Sequence, residues 1–313
     1  MTPEQAGAAG TGQAGIFALG TTAHAYLEFL VEVDSDMPSS EVVRLVADLR
    51  EPRMTVGGVN LVAGFRPSLW RRLEPHTLPD EVIDFDEPVT GLGSFTMPAT
   101  QRDLLLWISG ASYDVVYDMA RAALAALRGT FRLREEIASW SYQHDRDLTG
   151  FIDGSANPSL LEAPQIAQVP AGAAGAGGSI CLFQRWVHDT DAWEALPIDK
   201  QEAVMGRTKA DSIEFSDDAR PVDSHVARTE LVIGDEEFKV FRRNTPFGTV
   251  SEHGTVFIGF SRDRWRLQEM LRRMAGTDGV RDALTRYTHA TSGSYYWIPP
   301  VEDLLRHMTP VDD

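Results

Sequence analysis

Apolar and polar residues alternate along several short stretches of the chain, and along others apolar residues recur every three to four positions. The first pattern indicates strands and the second indicates helices. In residues 1–150 the patterns predict strands over 25–33, 59–65, 104–109 and 131–142, and helices over 39–50 and 113–127. Val116, Met119 and Ala123 share one face of the last helix, and Gly129 follows its end. The order of elements is β-α-β-β-α-β.

The second half of the chain has a similar order of elements. The patterns predict strands over 179–187, 238–243 and 255–260, and helices over 191–205 and 264–274. Pro197 is expected to divide the first of these helices, and Gly276 to end the second. Two β-α-β-β-α-β halves predict an α+β protein with a duplicated ferredoxin-like fold, antiparallel sheets and peripheral helices. We expect an N-terminal half over 1–150 and a C-terminal half over 151–313.

A segment rich in glycine and alanine separates the two halves. Residues 158–178 include the run PAGAAGAGG, which has little to bury and much backbone freedom. We predict a long surface loop there, with the elements of the second half beginning after it.

Composition and charge narrow the classes of function. The net charge of −17 argues against binding to nucleic acid, because neutralising phosphates requires a basic face. The local basic cluster of Arg272, Arg273 and Arg281 is interpreted as a solvated helix face. No apolar run approaches the roughly 20 residues of a membrane span, so no membrane association is expected.

The first 15 residues and the cysteine content bear on location. Residues 1–15 lack the basic and apolar regions of a signal peptide. The single cysteine, Cys181, cannot form an internal disulfide, which permits a reducing compartment. We expect a cytoplasmic protein. Ferredoxin-like halves commonly self-associate, so we also expect a homo-oligomer.

Asp153 lies in a segment with an unusual concentration of turn-forming residues, Gly-Phe-Ile-Asp-Gly-Ser-Ala-Asn-Pro over 150–158. An Asp-Gly pair favours a tight turn, because glycine tolerates positive φ and aspartate accepts hydrogen bonds from nearby N–H groups. Two interpretations are open: a structural turn, or a turn that presents an acid for chemistry.

His225 is one of eight histidines, and no two of them have His-x-x-x-His spacing. With only one cysteine, the sequence gives poor support to a zinc or non-haem iron centre. A single histidine suffices for iron only when a porphyrin fills most of the coordination sphere. The alternative is an ordinary core or surface histidine.

Arg242 and Asn244 are two residues apart in a strand-like stretch, so their side chains are expected on one face and Arg243 on the other. An arginine and an asparagine that face a pocket can stabilise a developing negative charge. The alternative is a surface strand with solvated arginines. Pro246, Phe247 and Gly248 are expected to end the strand.

Taken together, these residues resemble the dye-decolorising peroxidase family, and most closely its compact bacterial B-type members. The resemblance covers nearly the whole chain. The segments that carry it are Leu148–Gly154, Gly177–Ser179 with Gln184–Trp186, Gly206–Lys209, Ser224–Arg228, Arg242–Gly248 and Ser292–Trp297. Ser155-Ala156 departs from the pattern, since the family often has Thr-Glu at these two positions.

The resemblance implies one haem b per chain, held in the C-terminal half. It implies that His225 is the iron ligand on one side of the haem and that Asp282 accepts the other ring N–H of this histidine. On the opposite side it implies Asp153, Arg242 and Asn244 as the catalytic residues, and it implies that Arg207 pairs with a haem propionate.

The activity implied is the reduction of hydrogen peroxide and the one-electron oxidation of organic reductants such as dyes and phenols. Asp153 is expected to shuttle a proton, Arg242 to stabilise charge on the departing oxygen, and Asn244 to orient peroxide or water. One rival is a haem-binding or iron-releasing protein of the same fold with little peroxidase turnover. A second rival is a haem-free ferredoxin-like interaction module.

Overall fold

The computed structural model describes residues 10–32, 39–49 and 58–309 of the chain. Its strands are β1 Ala23–Val31, β2 Val59–Phe65, β3 Val89–Thr90, β4 Thr96–Met97, β5 Leu104–Gly110, β6 Phe131–Trp140, β7 Ser179–His188, β8 Val232–Ile233, β9 Glu236–Glu237, β10 Phe241–Arg242, β11 Thr245–Gly248, β12 His253–Ser261, β13 Thr288–Ala290 and β14 Ser294–Ile298. Its helices are α1 Ser39–Ala47, α2 Pro67–Leu73, α3 Tyr113–Ala126, α4 Ala163–Ala167, α5 Thr190–Glu194, α6 Ile198–Met205, α7 His225–Thr229, α8 Arg264–Ala275 and α9 Val301–Leu305. Within these described ranges, three short 3₁₀ helices cover Ala14–Phe17, Leu92–Ser94 and Ala283–Arg286.

The long strands form one antiparallel sheet in which both halves of the chain take part. The hydrogen-bonded order runs β12-β11-β6-β1-β5-β2-β14-β7, and β7 pairs again with β12, so the sheet closes on itself. Strands of the two halves pair with each other at two places, each with a single residue pair: Phe247 with Ser139, and Trp297 with Phe65. The fold is therefore α+β with a closed antiparallel barrel at its centre.

Alternation along the strands produces two cores, one inside the barrel and one between the barrel and the helices. In β1, Tyr26 belongs to the inner core, whereas Leu27 and Phe29 belong to the outer core with α3. In β7, Cys181 and Phe183 belong to the inner core, whereas Trp186 packs outward. Side chains on the outer faces of β7 and β12 therefore form one wall of a cavity, and α7 and α8 lie opposite them.

Most predicted elements are confirmed within one to three residues at each end. The predicted strand over 25–33 is β1, and residue 33 lies outside the described residues; the predicted helix over 39–50 is α1, and residue 50 also lies outside them. Pro197 precedes α6 and divides it from α5, as expected. Gly276 ends α8 in the left-handed region, with φ of 76°.

Two expectations about irregular regions are wrong. The stretch Pro246–Gly248 does not end the strand region, because it belongs to β11, which joins the barrel between β6 and β12. The segment 158–178 is not simply a surface loop, since Ala163 and Ala167 of α4 are fully buried in the inner core. Gly178 lies so close to the Trp297 ring that a Cβ atom would collide with it. This glycine therefore serves close packing.

Residues 1–9, on which much of the expectation of no signal peptide depends, lie outside the described residues. Over 10–32, 39–49 and 58–309, no helix is both long and apolar enough to cross a membrane.

Candidate active site

His225 is the first residue of α7, a five-residue helix that begins after Ser224. Its Nδ1 lies 2.7 Å from Oδ2 of Asp282, whose side chain is fully buried. The other oxygen of Asp282 accepts the N–H of Leu284 at 2.9 Å, which fixes the carboxylate. Because a carboxylate accepts hydrogen bonds, Nδ1 carries the ring hydrogen and Nε2 is left as the ligand or acceptor atom.

His225 lines a cavity between the barrel and the helices of the C-terminal half. Phe257 of β12, Val226 of α7, and Met270, Leu271 and Met274 of α8 provide apolar surface there. Asp153, Arg207, Arg242 and Asn244 line the same cavity. The structure thus brings together five of the six residues singled out in the sequence, and the sixth, Asp282, contacts His225 from behind.

Asp153 is held in a tight turn, and it contacts Asn244 although 91 residues separate them. Its backbone N–H donates to the Asp145 carbonyl at 2.7 Å, and its Oδ1 accepts the N–H of Gly154 at 2.7 Å. Gly154 has φ of 74°, a conformation that glycine adopts without strain. The Asn244 amide then donates to Asp153 Oδ1 at 3.4 Å. The turn therefore presents the acid to the cavity with one oxygen already oriented.

Arg242 and Arg243 point in different directions, as alternation predicts for a strand. Within the described part of the chain, the Arg242 guanidinium makes no hydrogen bond or ion pair, and it lines the cavity. Arg243 instead donates to the carbonyls of Ile16 and Ala18 at 2.9 and 2.7 Å, and it lies over the Trp107 ring. Arg242 is thus the guanidinium that remains available to a bound molecule.

Arg207 is buried at the side of the cavity, where Gly206 ends α6 in the left-handed region. Its Nη2 lies 2.8 Å from Oε1 of Glu214, and its Nη1 donates to the Ser155 hydroxyl. Burial lowers the pKa of Arg207, and the Glu214 carboxylate opposes this change. Ser155, one of the two departures from the family pattern, therefore connects the Asp153 turn to this arginine.

Asp147 is a second acid beside the cavity, and the sequence patterns did not single it out. Thr149 holds its Oδ1 through the backbone N–H at 2.8 Å and through the hydroxyl. Burial, together with the nearby charge of Asp153, raises the pKa of Asp147 to about 6, although the hydrogen bonds from Thr149 oppose this change. Asp147 and Asp153 therefore lie on the same turn, and both line the cavity.

A second histidine, His188 at the end of β7, also lines the cavity. Its Nε2 lies 3.2 Å from the Thr255 hydroxyl. Burial and, to a smaller degree, the charge of the nearby His253 lower the pKa of His188 to about 4. His188 is therefore neutral near pH 7. Within residues 10–32, 39–49 and 58–309, no carboxylate orients its ring as Asp282 orients that of His225.

Two family models match most of the chain. The model described as "Dyp-type peroxidase, N-terminal" matches residues 13–141, and the one described as "Dyp-type peroxidase, C-terminal" matches residues 144–303. The chain belongs to the Dyp-type peroxidase family.

This chain is similar to individual Dyp-type peroxidases both in sequence and in structure. A dye-decolorizing peroxidase from Mycolicibacterium paratuberculosis is 35% identical over 271 residues, which are 85% of this chain and 75% of the relative. A Dyp-type peroxidase structure from Shewanella oneidensis superposes with a TM-score of 0.88 at 26% identity, covering 97% of this chain and 99% of the other. A variant of the Rhodococcus jostii RHA1 enzyme in complex with heme superposes with a TM-score of 0.84 at 28% identity, covering 92% and 97%.

Asn157 is a further residue of this Dyp-type peroxidase site that the sequence did not assign. Its side-chain oxygen accepts the N–H of Arg242 at 3.0 Å, and its amide donates to the Arg242 carbonyl at 2.7 Å. These two bonds fasten the Asp153 turn to the strand that carries Arg242. The signal available in the sequence was the Asn-Pro pair that closes the turn segment, but nothing in it pointed to Arg242.

A second cavity shares part of its lining with the site. Asp147, Asp153, Gly154, Arg242 and Asn244 line both cavities. The two cavities therefore share two carboxylates, one guanidinium and one side-chain amide.

Proposed function

We propose that this chain is a haem b peroxidase of the B-type, which reduces hydrogen peroxide and oxidises organic reductants such as dyes and phenols. The observation that carries this proposal is that one cavity is lined both by the carboxylate-bound His225 and by Asp153, Arg242 and Asn244. A protein that only carries haem has no use for the second group of residues.

The residues of the cavity fit one haem per chain. A single imidazole suffices for haem iron because the macrocycle supplies the remaining in-plane ligands. Among the described residues, no group of three or more His, Cys, Asp or Glu side chains could hold a metal ion by itself. His225 would bind the iron, the apolar wall with Phe257 and Leu271 would contact the macrocycle, and the buried guanidinium of Arg207 would pair with a propionate.

Bound haem supplies the redox chemistry, which is the two-electron reduction of peroxide and the acceptance of single electrons from organic reductants. The protein supplies the proton transfer. One oxygen of peroxide must lose a proton and the other must gain one before the O–O bond breaks. Asp153 holds and moves this proton, since it lines the cavity on an oriented turn. Asn244, which donates to Asp153, orients peroxide or water beside it.

Arg242 stabilises the negative charge that develops on the departing oxygen. Its guanidinium faces the cavity without an ion-pair partner among the described residues, so its charge is available to the reacting molecule. Asn157 fixes the position of Arg242 relative to the Asp153 turn through two hydrogen bonds to the Arg242 backbone.

The proposal includes a duplicated ferredoxin-like fold with halves over 1–150 and 151–313. Its support is the strand order. Numbered along the chain, the four long strands of each half occur in the order 4-1-3-2, as β6-β1-β5-β2 and as β14-β7-β12-β11. The separate family matches over 13–141 and 144–303 support the boundary. A homo-oligomeric state and a cytoplasmic location stay predictions from the sequence.

The test is the rate at which peroxide first oxidises the haem, measured by stopped-flow absorbance in Asp153→Ala and Arg242→Ala. A general acid–base residue typically contributes at least about a hundredfold to a rate, so at least one variant should be slower by well over tenfold. Asp217→Ala and Arg132→Ala serve as controls, because these side chains are largely exposed. If neither Asp153→Ala nor Arg242→Ala slows the reaction, the assignment of this side of the haem is wrong. Haem binding without dye turnover in the wild type would favour the haem-carrier rival.

A further inference from the structure

The helix that carries His225 is too short to hold its own position. α7 has five residues, and isolated helices need roughly 12 or more residues to be even marginally stable in water. Its orientation must therefore come from contacts with other elements. Its main neighbour is α8, which ends at Ala275.

Two arginines exchange hydrogen bonds between the C-terminal ends of these two helices. Arg228 of α7 donates through Nε and Nη2 to the carbonyl of Arg273 in the last turn of α8, at 3.1 and 2.9 Å. Arg273 donates in return to the Ala227 carbonyl at 2.7 Å and to the Glu230 carbonyl. Each guanidinium thus satisfies carbonyls at the end of the other helix, where the helix dipole favours a cation.

An acidic residue balances the two neighbouring positive charges. Arg228 is buried, and its Nη2 lies 2.6 Å from both carboxylate oxygens of Asp278. The hydrogen bond from Arg228 lowers the pKa of Asp278, so the carboxylate stays ionised. The interpretation of Arg273 as part of a solvated helix face is therefore wrong, because its guanidinium is directed at α7.

The same turn of α8 also positions the partner of His225. The N–H of Asp282 donates to the carbonyl of Met274, the residue after Arg273, at 3.1 Å. One turn of backbone therefore anchors both the helix that carries His225 and the carboxylate that orients its ring. A displacement of this turn would move the two groups together.

We propose that Arg228 and Arg273 form a clamp that positions His225 and Asp282 for binding the haem iron. This inference rests on the proposed function, since it assumes that His225 is the iron ligand. Arg228 and Arg273 are positioning residues: neither lines the cavity. Their effect passes through the placement of α7 and of the last turn of α8.

The test compares Arg228→Gln with Arg66→Gln in the haem-loaded protein. Arg66 is a matched control, because it is a partly buried arginine that pairs with Asp84, Asp86 and Asp103 in the N-terminal half. Three properties are measured in each variant: the rate of haem transfer to excess apomyoglobin, the iron–histidine stretching band in the resonance Raman spectrum of the ferrous form, and the Tm.

We expect both variants to lower the Tm but only Arg228→Gln to change the haem. Groups that orient a metal-binding histidine typically contribute a factor of ten or more to metal affinity, so haem release should be about tenfold faster. The iron–histidine band should shift as well. If Arg228→Gln does not fold, Arg228→Lys replaces it. A lysine can pair with Asp278 but offers only one nitrogen to the Arg273 carbonyl, so release should again be faster than in the wild type.

The outcomes separate this inference from the proposed function. An unchanged band and release rate in the Arg228 variant, or equal changes in Arg66→Gln, would show that the clamp contributes only general stability. A wild-type protein that binds no haem would overturn the proposed function and the role of the clamp with it.

Discussion

Asp282→Asn tests how much of the haem affinity depends on the carboxylate behind His225. The two side chains have nearly the same shape, and the Asn carbonyl oxygen can still accept the Leu284 N–H that Asp282 accepts at 2.9 Å. The amide NH₂ would then face Nδ1 of His225, which must become an acceptor. The ring hydrogen moves to Nε2, the atom that the iron requires.

The expected loss follows from the geometry of this contact. Asp282 is fully buried, and its oxygen lies 2.7 Å from Nδ1, so water cannot replace the lost partner. Loss of such a partner of a metal-binding histidine typically costs a factor of 10 to 100 in affinity, which corresponds to about 1.4 to 2.8 kcal/mol. We therefore expect haem binding to be weaker by that factor.

The assay is a titration of the haem-free protein with haem, followed by the Soret absorbance, together with the rate of haem transfer to apomyoglobin. Asp223→Asn is the matched control, because this carboxylate also lies near α7 but makes a partly exposed ion pair with Arg286 at 3.2 Å. If Asp282→Asn binds haem with the affinity and spectrum of the wild type, the orienting role of Asp282 is refuted.

Three further predictions concern other parts of the molecule. Burial raises the pKa of Glu28 to about 7, despite the hydrogen bond that it accepts from Tyr296 at 2.5 Å. The folded state therefore favours the protonated form of Glu28. The resulting contribution to the free energy of unfolding is complete below about pH 4.5 and is lost as the pH rises through 7. Glu28→Gln should abolish this pH dependence of the free energy of unfolding, which is about 3 kcal/mol for a shift of this size. Chemical denaturation at several pH values measures it, and an unchanged pH profile would contradict the prediction. Arg207→Gln should release haem about tenfold faster, as expected for a lost charge-assisted hydrogen bond, and an unchanged rate would exclude its pairing with a propionate. Asn157→Ala should slow the reaction with peroxide without changing haem affinity, because it frees the Arg242 backbone; stopped-flow mixing and a haem titration measure the two effects, and an unchanged rate would show that Arg242 does not need this support.

Local sequence patterns were sufficient for the long elements of the fold. The apolar alternation of β1 and β7 and the periodic face of α3 each produce a strong local signal. Pro197 marks the start of α6, and Gly276 marks the end of α8. The closure of the barrel could not be predicted in this way. It depends on pairings between distant strands, such as Phe247 with Ser139, which no local pattern encodes.

The candidate residues of the site came from short motifs, but their supporting contacts did not. Asp153, His225, Arg242 and Asn244 lie in segments with recognisable composition. The roles of Asn157 and Arg228 depend on which backbone carbonyl or N–H group lies opposite each side chain, and this is known only once the chain is folded. Arg273 shows where prediction from local sequence fails. The arginines near it in the sequence indicated a solvated helix face, but its guanidinium donates a hydrogen bond to a carbonyl of α7.

The most direct test of the account is the visible spectrum of the haem-loaded protein in the wild type, in His225→Ala and in His188→Ala. Both histidines line the cavity, but only His225 has its ring oriented by a buried carboxylate. We predict that His225→Ala loses the spectrum of histidine-bound haem, whereas His188→Ala retains it. A wild-type spectrum in His225→Ala, or its loss in His188→Ala alone, would contradict the central claim that His225 holds the iron.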